Sequence, residues 1–106
     1  MDVMEKPFDS HLPRMSKNQL LVLKYLLALG ESPVTHAEIA KRTAIVEKQL
    51  GGVLSAMSRR VRNGLTLIVP SGRSTRGDLR WRLNSKAITV VLAQKQIRLL
   101  LASYER

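Results

Sequence analysis

The sequence lacks cysteine and is poor in aromatic residues and in long apolar runs. The absence of cysteine from all 106 residues excludes disulfides, thiol catalysis and cysteine-ligated zinc. Aromatic residues account for only 4% of the chain, too few to build a base-stacking platform for single strands. No apolar run approaches the roughly 18 residues that span a bilayer, and the first residues do not resemble a secretory signal. We therefore expect a cytoplasmic protein, associated with the nucleoid if the source is prokaryotic.

Acidic residues are also scarce, and positive charge is what the chain has in excess. It carries 18 Lys and Arg against 8 Asp and Glu, a formal net charge of +10. With 44% hydrophobic and 25% charged residues, the composition is typical of one globular domain and not of a disordered polycation. A polyanion is the partner that this charge favours.

The excess charge is concentrated in the second part of the chain. Residues 41–106 hold 14 basic and 3 acidic residues, a net charge of +11, whereas residues 1–40 have a net charge of −1. The fork of donors on arginine suits phosphate oxygens and guanine edges, which favours nucleic acid over the alternative of a solvated basic face. All seven basic residues between 59 and 82 are arginines, namely Arg59, Arg60, Arg62, Arg73, Arg76, Arg80 and Arg82.

The first two thirds of the chain have helical periodicity. Residues 1–15 show no periodicity and are predicted to form a flexible arm. Apolar spacing then predicts three helices, at about 16–30, 35–42 and 46–62, with a very short strand at Val34 before the second.

Two capping boxes support the starts of the first two helices. The pairs are Ser16 with Gln19 and Thr35 with Glu38. At this spacing, the side chain of each residue of a pair can accept a hydrogen bond from the backbone N–H of the other. Gly30 stands where the first helix should stop.

The period then changes from helical to alternating. Residues 65–69 predict a strand that stops at Pro70, and residues 79–83 predict a second strand. The polar residues 71–78 between them form the tip of the hairpin. A last helix is predicted at about 86–104.

This order of elements resembles a winged helix-turn-helix domain over residues 16–84. The residues that carry the resemblance are a T-x-x-E-[IL]-A opening, the apolar positions of the two motif helices and an x-G-L exit into the wing: Thr35, Glu38, Ile39, Ala40, Ile45, Leu50, Leu54, Met57, Asn63, Gly64 and Leu65. The resemblance implies a mainly helical α+β fold with a three-helix core, a β-hairpin wing and an additional C-terminal helix. It also implies that the second motif helix enters the major groove of DNA, while the wing contacts a minor groove or the backbone.

The resemblance assigns DNA-binding roles to the outward face of the recognition helix, about 46–62, and to the Arg-rich wing, 71–78. Glu47 shares that face. The implied DNA-binding residues are Thr35, His36, Lys48, Gly51, Gly52, Ser55, Arg59, Arg62, Arg73, Ser74, Thr75, Arg76 and Arg80.

The chain departs from the family pattern at three points. Ala44 replaces the usual glycine of the turn, where a left-handed conformation would cost about 1 kcal/mol. Val46 stands at the start of the recognition helix and cannot cap it. Gly51 and Gly52 lie inside that helix at a cost of about 0.8–1.0 kcal/mol each. Their missing side chains either allow close approach of DNA or a partner, or allow tight packing against the preceding helix.

The C-terminal helix, residues 85–106, is apolar on nearly two faces and is predicted to mediate a homodimer. The alternative is that one face closes the core against residues 20–29 and the rest is sparsely exposed. A membrane-surface helix is disfavoured because the segment has few basic residues. The predicted dimer residues are Ile88, Val91, Leu92, Leu99 and Ala102.

We therefore predict a protein that binds double-stranded DNA, most simply as a dimeric transcriptional regulator. The alternatives are a sequence-tolerant architectural DNA-binding protein and a winged-helix module for protein contacts within a nucleic-acid complex; RNA binding also stays open. His11 and His36 lie in different segments, and no P-loop or dinucleotide motif is present. We expect no enzymatic activity, cofactor, metal or small-molecule ligand.

Overall fold

Helices form most of the fold, and two small antiparallel sheets join them. A computed structural model describes residues 6–104. The elements in chain order are a 3₁₀ helix (Leu12–Arg14), α1 (Lys17–Leu29), β1 (Val34–Thr35), α2 (His36–Thr43), α3 (Glu47–Arg59), β2 (Val61–Arg62), β3 (Leu65–Thr66), β4 (Ile68–Arg73), β5 (Leu79–Leu83) and α4 (Val90–Tyr104). This order confirms the mainly helical α+β class with a hairpin wing.

The first predicted capping box is present in full, and the second is present in part. The backbone N–H of Gln19 donates to Ser16 Oγ at 3.2 Å, and the backbone N–H of Ser16 donates to Gln19 Oε1 at 3.0 Å. The backbone N–H of Glu38 likewise donates to Thr35 Oγ1 at 3.3 Å. The Glu38 carboxylate, however, accepts from the Thr35 hydroxyl at 3.2 Å. Thr35 thus caps α2 while it is the last residue of β1.

The core is built around α1, which packs against α2, α3 and α4. A helix with apolar residues around most of its circumference is suited to this central position. The buried side chains of α1 are Leu20, Val22, Leu23, Leu26 and Leu27, and those of α3 are Leu50, Leu54 and Met57.

The wing belongs to an antiparallel sheet with strand order β1-β5-β4. Trp81 of the central strand β5 pairs with Val34 of β1 on one side and with Pro70 of β4 on the other. The predicted stop of the strand at Pro70 was wrong, since β4 continues through it to Arg73. Because β4 is an edge strand, a residue without an N–H is tolerated there. The loop of the wing is correspondingly shorter than predicted and spans residues 74–78.

The recognition helix ends three residues earlier than predicted, at Arg59. Val61, which falls within the predicted helix, is 58% exposed. Residues 61–62 form β2, which pairs with β3 through a two-residue turn at Asn63 and Gly64. The φ angles of that turn are 51° and 77°, as Asn-Gly hairpin turns require. Gly64 therefore takes a left-handed conformation within a hairpin.

Two of the three departures from the family pattern have the expected structural consequences. Ala44 ends α2 in the left-handed conformation, with φ 60° and ψ 20°. Val46 precedes α3 and makes no side-chain hydrogen bond to cap it. The turn therefore contains a left-handed residue that is not glycine and a helix start without a capping side chain, and both cost stability.

The predicted flexible arm differs from the structure over residues 6–15, which pack on the core. Phe8 and Leu12 are each only 1% exposed, and Met15 is also buried. The backbone N–H of Phe8 donates to the Ala87 carbonyl at 2.9 Å, which joins this segment to the residues before α4. The spacing i, i+4, i+7 of the three apolar residues was a helix-like signal that the prediction missed. Residues 1–5 of the expected arm lie outside the described residues.

The last helix begins at Val90, four residues later than predicted. The preceding residues form turns in which Ala87 and Ile88 are completely buried. Ile88, predicted to lie in a dimer interface, is therefore part of the monomer core.

Asp9 supplies the cap of α4 from a distant part of the chain. The Thr89 backbone N–H and hydroxyl donate to its two carboxylate oxygens at 2.6 and 2.7 Å. The Thr89 carbonyl in turn accepts from the Ala93 N–H at 2.9 Å, as an N-cap carbonyl does. Burial raises the pKa of Asp9, but hydrogen bonds from Thr89 and Lys6 and the Lys6 charge outweigh it and leave the pKa below 3.8.

Replacing Asp9 with asparagine should lower the free energy of unfolding by about 1 kcal/mol at neutral pH, as for other lost caps. Because the folded-state pKa is depressed, the carboxylate contributes fully above its unfolded pKa of about 3.9. The contribution is lost as the pH falls through the folded value. Urea unfolding of the unaltered protein and of the variant should show a difference in the free energy of unfolding that becomes smaller in acid. A difference independent of pH would contradict this account.

Candidate nucleic-acid interface

One face of α3 is open to solvent near the start of the helix. Leu50 and Leu54 turn inward, whereas Gly51 and Gly52 between them and the residues before Leu50 are exposed. The exposed residues are Glu47, Lys48, Gln49, Gly51 and Gly52, with Ser55 half-buried and Arg59 exposed further along. Gln49 was not among the predicted site residues, although its position beside Lys48 and one turn before Gly52 and Val53 placed it near this face.

The two glycines of α3 border free space. A Cβ atom added at Gly52 would meet nothing within 4 Å, and one added at Gly51 would meet only His36 Cε1, at 4.0 Å. The interpretation that these glycines allow tight packing against the preceding helix is therefore wrong. The solvent-facing side of the helix therefore has no side chains at these two positions, and an external molecule can approach the backbone there.

The starts of α2 and α3 and the middle of β5 are joined into one surface. Thr35 pairs with Arg80 across β1 and β5. The next residue, His36, contacts the Glu47 carbonyl through Nε2 at 3.2 Å. Since a carbonyl only accepts, Nε2 must carry the proton. Thr35, His36, Arg80 and the first turns of α3 are thus neighbours, as the predicted site requires.

Ser74 shapes the tip of the wing. Its hydroxyl oxygen accepts from the backbone N–H groups of Arg76 and Asp78 at 3.3 and 3.2 Å. The Arg73 guanidinium donates to the Gly77 carbonyl at 2.8 Å. Thr75 and Arg76 are left exposed at the tip. Two of the four predicted tip residues therefore fix the loop, and the other two are presented by it.

The remaining predicted residues lie toward the other end of α3, which is about 20 Å long. Arg59 Nε donates back to the Ser55 carbonyl at 3.2 Å. Arg62 is not on the helix but in β2, where it contacts His11. Neither residue belongs to the surface formed by the starts of α2 and α3.

Among residues 6–104, most arginines of the second half form no ion pair with an acidic side chain. Within residues 6–104 the single ion pair joins Arg82 to Glu31, with Nη1 and Oε2 3.3 Å apart. The positive charge on and around the wing is therefore not neutralised by the described part of the chain. Such a field attracts polyanions over a range set by the salt concentration.

The described part of the chain has neither a metal-binding cluster nor a membrane-crossing helix. Residues 6–104 contain no group of three or more histidine and acidic side chains arranged to hold a metal ion. In the same range, no helix has the length and apolar character that crossing a membrane requires.

Comparison with known proteins supports the fold. No family model matches the sequence. No curated protein matches it either. Among solved structures, the chain is similar to a mutant of ZitR from Lactococcus lactis, with 23% identity and a TM-score of 0.59. The similarity covers 86% of this chain but only 58% of that one. Together with the order of elements, this likeness confirms the winged helix-turn-helix fold.

Proposed function

We propose that the chain binds double-stranded DNA as a transcriptional regulator. In this proposal α3 enters the major groove, which is about 12 Å wide and admits a helix. The wing, β4 and β5 with their loop, follows the backbone or a minor groove. The observation that supports it most is the exposed start of α3, where Gly51 and Gly52 border free space beside α2 and β5.

The residues of this surface suit distinct roles. Lys48 and Gln49 are exposed in the first turn of α3, from which a lysine can reach guanine and a glutamine can reach adenine. Thr35 and His36 lie at the N-terminus of α2, where backbone N–H groups favour a phosphate. Arg76, exposed at the wing tip, has the donors for a phosphate contact.

The contribution of the wing can be measured from the salt dependence of binding. Replacing Arg76 with alanine should change the slope of log K against log salt from about −5 to about −4, because one phosphate contact is lost. Arg98→Ala, which removes one exposed charge from α4, is the control and should leave the slope unchanged. A wing variant with the slope of the unaltered protein would favour the protein-contact module instead.

A sequence-tolerant architectural role is the second candidate function. It is favoured by Val46, which leaves the start of α3 without a hydroxyl that could bond a phosphate. Competition with random DNA separates the two functions. A regulator should prefer its own site by at least about a thousandfold, whereas an architectural protein should not.

We also propose that the regulator is a homodimer formed through α4. Ala93 and Ile97 are buried on the face that closes the core. Leu99 is 74% exposed, and Val91 and Leu92 are also exposed large apolar residues. Ala102 lies exposed near the end of the same helix. An apolar surface left uncovered on a small protein is suited to pair with its copy about a two-fold axis.

Replacing Leu99 with glutamate should convert the dimer to a monomer, because it would bury two unpaired carboxylates at a symmetric contact. Analytical ultracentrifugation measures the change. Gln94→Glu, an equal charge change at another exposed position of α4, should leave the dimer intact. An unaltered protein that stays monomeric at every concentration would contradict the dimer.

A further inference from the structure

Arginine side chains surround the buried imidazole of His11. The ring is only 5% exposed, and the Phe8 ring packs edge-on against it at 5.8 Å. The Arg60 guanidinium contacts its Nε2, and Arg62 Nη2 lies 2.9 Å from its Nδ1. Arg14, in the 3₁₀ helix, adds a further positive charge nearby. The cluster thus joins residues 6–15 to the chain that leaves α3.

The hydrogen-bonding capacities of these groups do not match. A guanidinium has donors only, and a neutral imidazole has one acceptor nitrogen. The imidazole can therefore accept a hydrogen bond from one arginine only. Its other nitrogen carries an N–H, which faces an N–H donor of the second arginine and cannot bond it. Burial, followed by the charges of Arg60, Arg62 and Arg14, holds the pKa of His11 below 6.5. The ring cannot become an acceptor for both arginines, so the cluster keeps a surplus of donors.

Within residues 6–104, no carboxylate balances this charge, since Arg82 and Glu31 form the one ion pair there. The cavity beside His11 has a volume of about 10 Å³ and is lined mainly by apolar side chains such as Met15 and Leu67. That space is no larger than one water needs. A larger acceptor has to approach from outside, where Arg60 is exposed and Arg62 is half-buried.

We propose that Arg60, Arg62 and His11 form a binding site for a tetrahedral oxyanion of the phosphate class. Such an anion accepts the guanidinium N–H groups that the imidazole leaves unpaired, and planar forks of this kind bind its oxygens in pairs. Its charge also offsets the repulsion that the arginines exert on a proton at His11. Anion binding and protonation of His11 therefore favour each other. This site goes beyond the proposed function, because it requires no DNA.

The test is an NMR titration of His11 in sodium sulfate and in sodium chloride at equal ionic strength. Sulfate is the probe because its charge is constant over the range in which histidine titrates. We expect a higher pKa for His11 in sulfate, corresponding to about tenfold tighter binding to the protonated protein. An identical titration of His11 in both salts overturns the proposal.

Two variants separate the site from a general effect of sulfate. Arg60→Gln combined with Arg62→Gln should abolish the difference between the salts, whereas Arg98→Gln on α4 should retain it. A difference that persists in the double variant would also overturn the proposal. Should the double variant not fold, the measurement on the unaltered protein still decides.

The source of the anion is distinguished by adding a DNA duplex in chloride. A rise in the pKa of His11 with the duplex identifies a backbone phosphate as the occupant. A rise with sulfate alone identifies a free oxyanion. Since the sulfate measurement contains no DNA, a failure of DNA binding leaves it intact, and a failure of the oxyanion site leaves DNA binding by α3 and the wing to be judged separately.

Discussion

Replacing Phe8 with alanine lowers the free energy of unfolding by about 3–5 kcal/mol, the cost of removing a large side chain from a packed core. Phe8 is 1% exposed, and its ring packs against His11. Its backbone is held by the Ala87 carbonyl. The substitution therefore leaves a cavity where residues 6–15, the chain before α4 and the end of α3 meet. A large effect is expected only if these residues belong to the folded domain.

Urea unfolding of the variant measures the effect. Ser10→Ala in the same segment is the matched control, because Ser10 is exposed and its replacement should change stability by less than about 0.5 kcal/mol. A loss for Phe8→Ala as small as that of the control would mean that the segment is a flexible arm after all.

Two substitutions at Gly52 should have different effects: alanine should increase stability, and glutamate should weaken DNA binding. Alanine should raise the free energy of unfolding by about 0.8–1.0 kcal/mol, since it has the better helix propensity and nothing within 4 Å to obstruct it. Glutamate should weaken duplex binding by about tenfold or more, since a carboxylate facing the phosphates costs at least about 1.4 kcal/mol. The two results together support a DNA-binding role for this position. They would show that glycine makes the helix less stable than alanine would, while a larger charged side chain at the same place interferes with DNA binding.

Fluorescence anisotropy with a labelled duplex measures the binding, and urea unfolding measures the stability. Ala28→Glu makes the same charge change at an exposed position of α1, outside the proposed surface, and should reduce affinity much less. Equal binding by the Gly52→Glu and Ala28→Glu variants would contradict a role for this face of α3.

Capping residues in the sequence correctly predicted where α1 and α2 begin. Ser16 and Thr35 cap α1 and α2 through bonds three residues away, which depend on nothing distant. The buried face of α3 also followed from the sequence, because the apolar periodicity is uninterrupted from Leu50 to Met57. The alternation of β5 also gave its bounds, residues 79–83.

Errors arose where contacts between distant segments decide the structure. Phe8 and Asp9 sit among prolines and charges, and nothing nearby indicates that they meet Ala87 and Thr89. The start of α4 depends on that meeting, since Asp9 caps it.

Most members of the candidate surface were proposed from the resemblance, but their grouping was not. The resemblance supplied Thr35, His36 and Arg80, while the pairing of β1 with β5 is what brings them together. Arg62 was misplaced because Asn63 and Gly64, interpreted as the end of a helix, are a hairpin turn. The contact of His11 with Arg60 spans 49 residues and had no signal in the sequence.

The salt dependence of duplex binding by the unaltered protein tests the central claim most directly. If α3 and the wing together neutralise about six phosphates, log K falls linearly with log salt at a slope near −5. An affinity for duplex DNA that does not change with salt, or no measurable binding at low salt, would contradict the account.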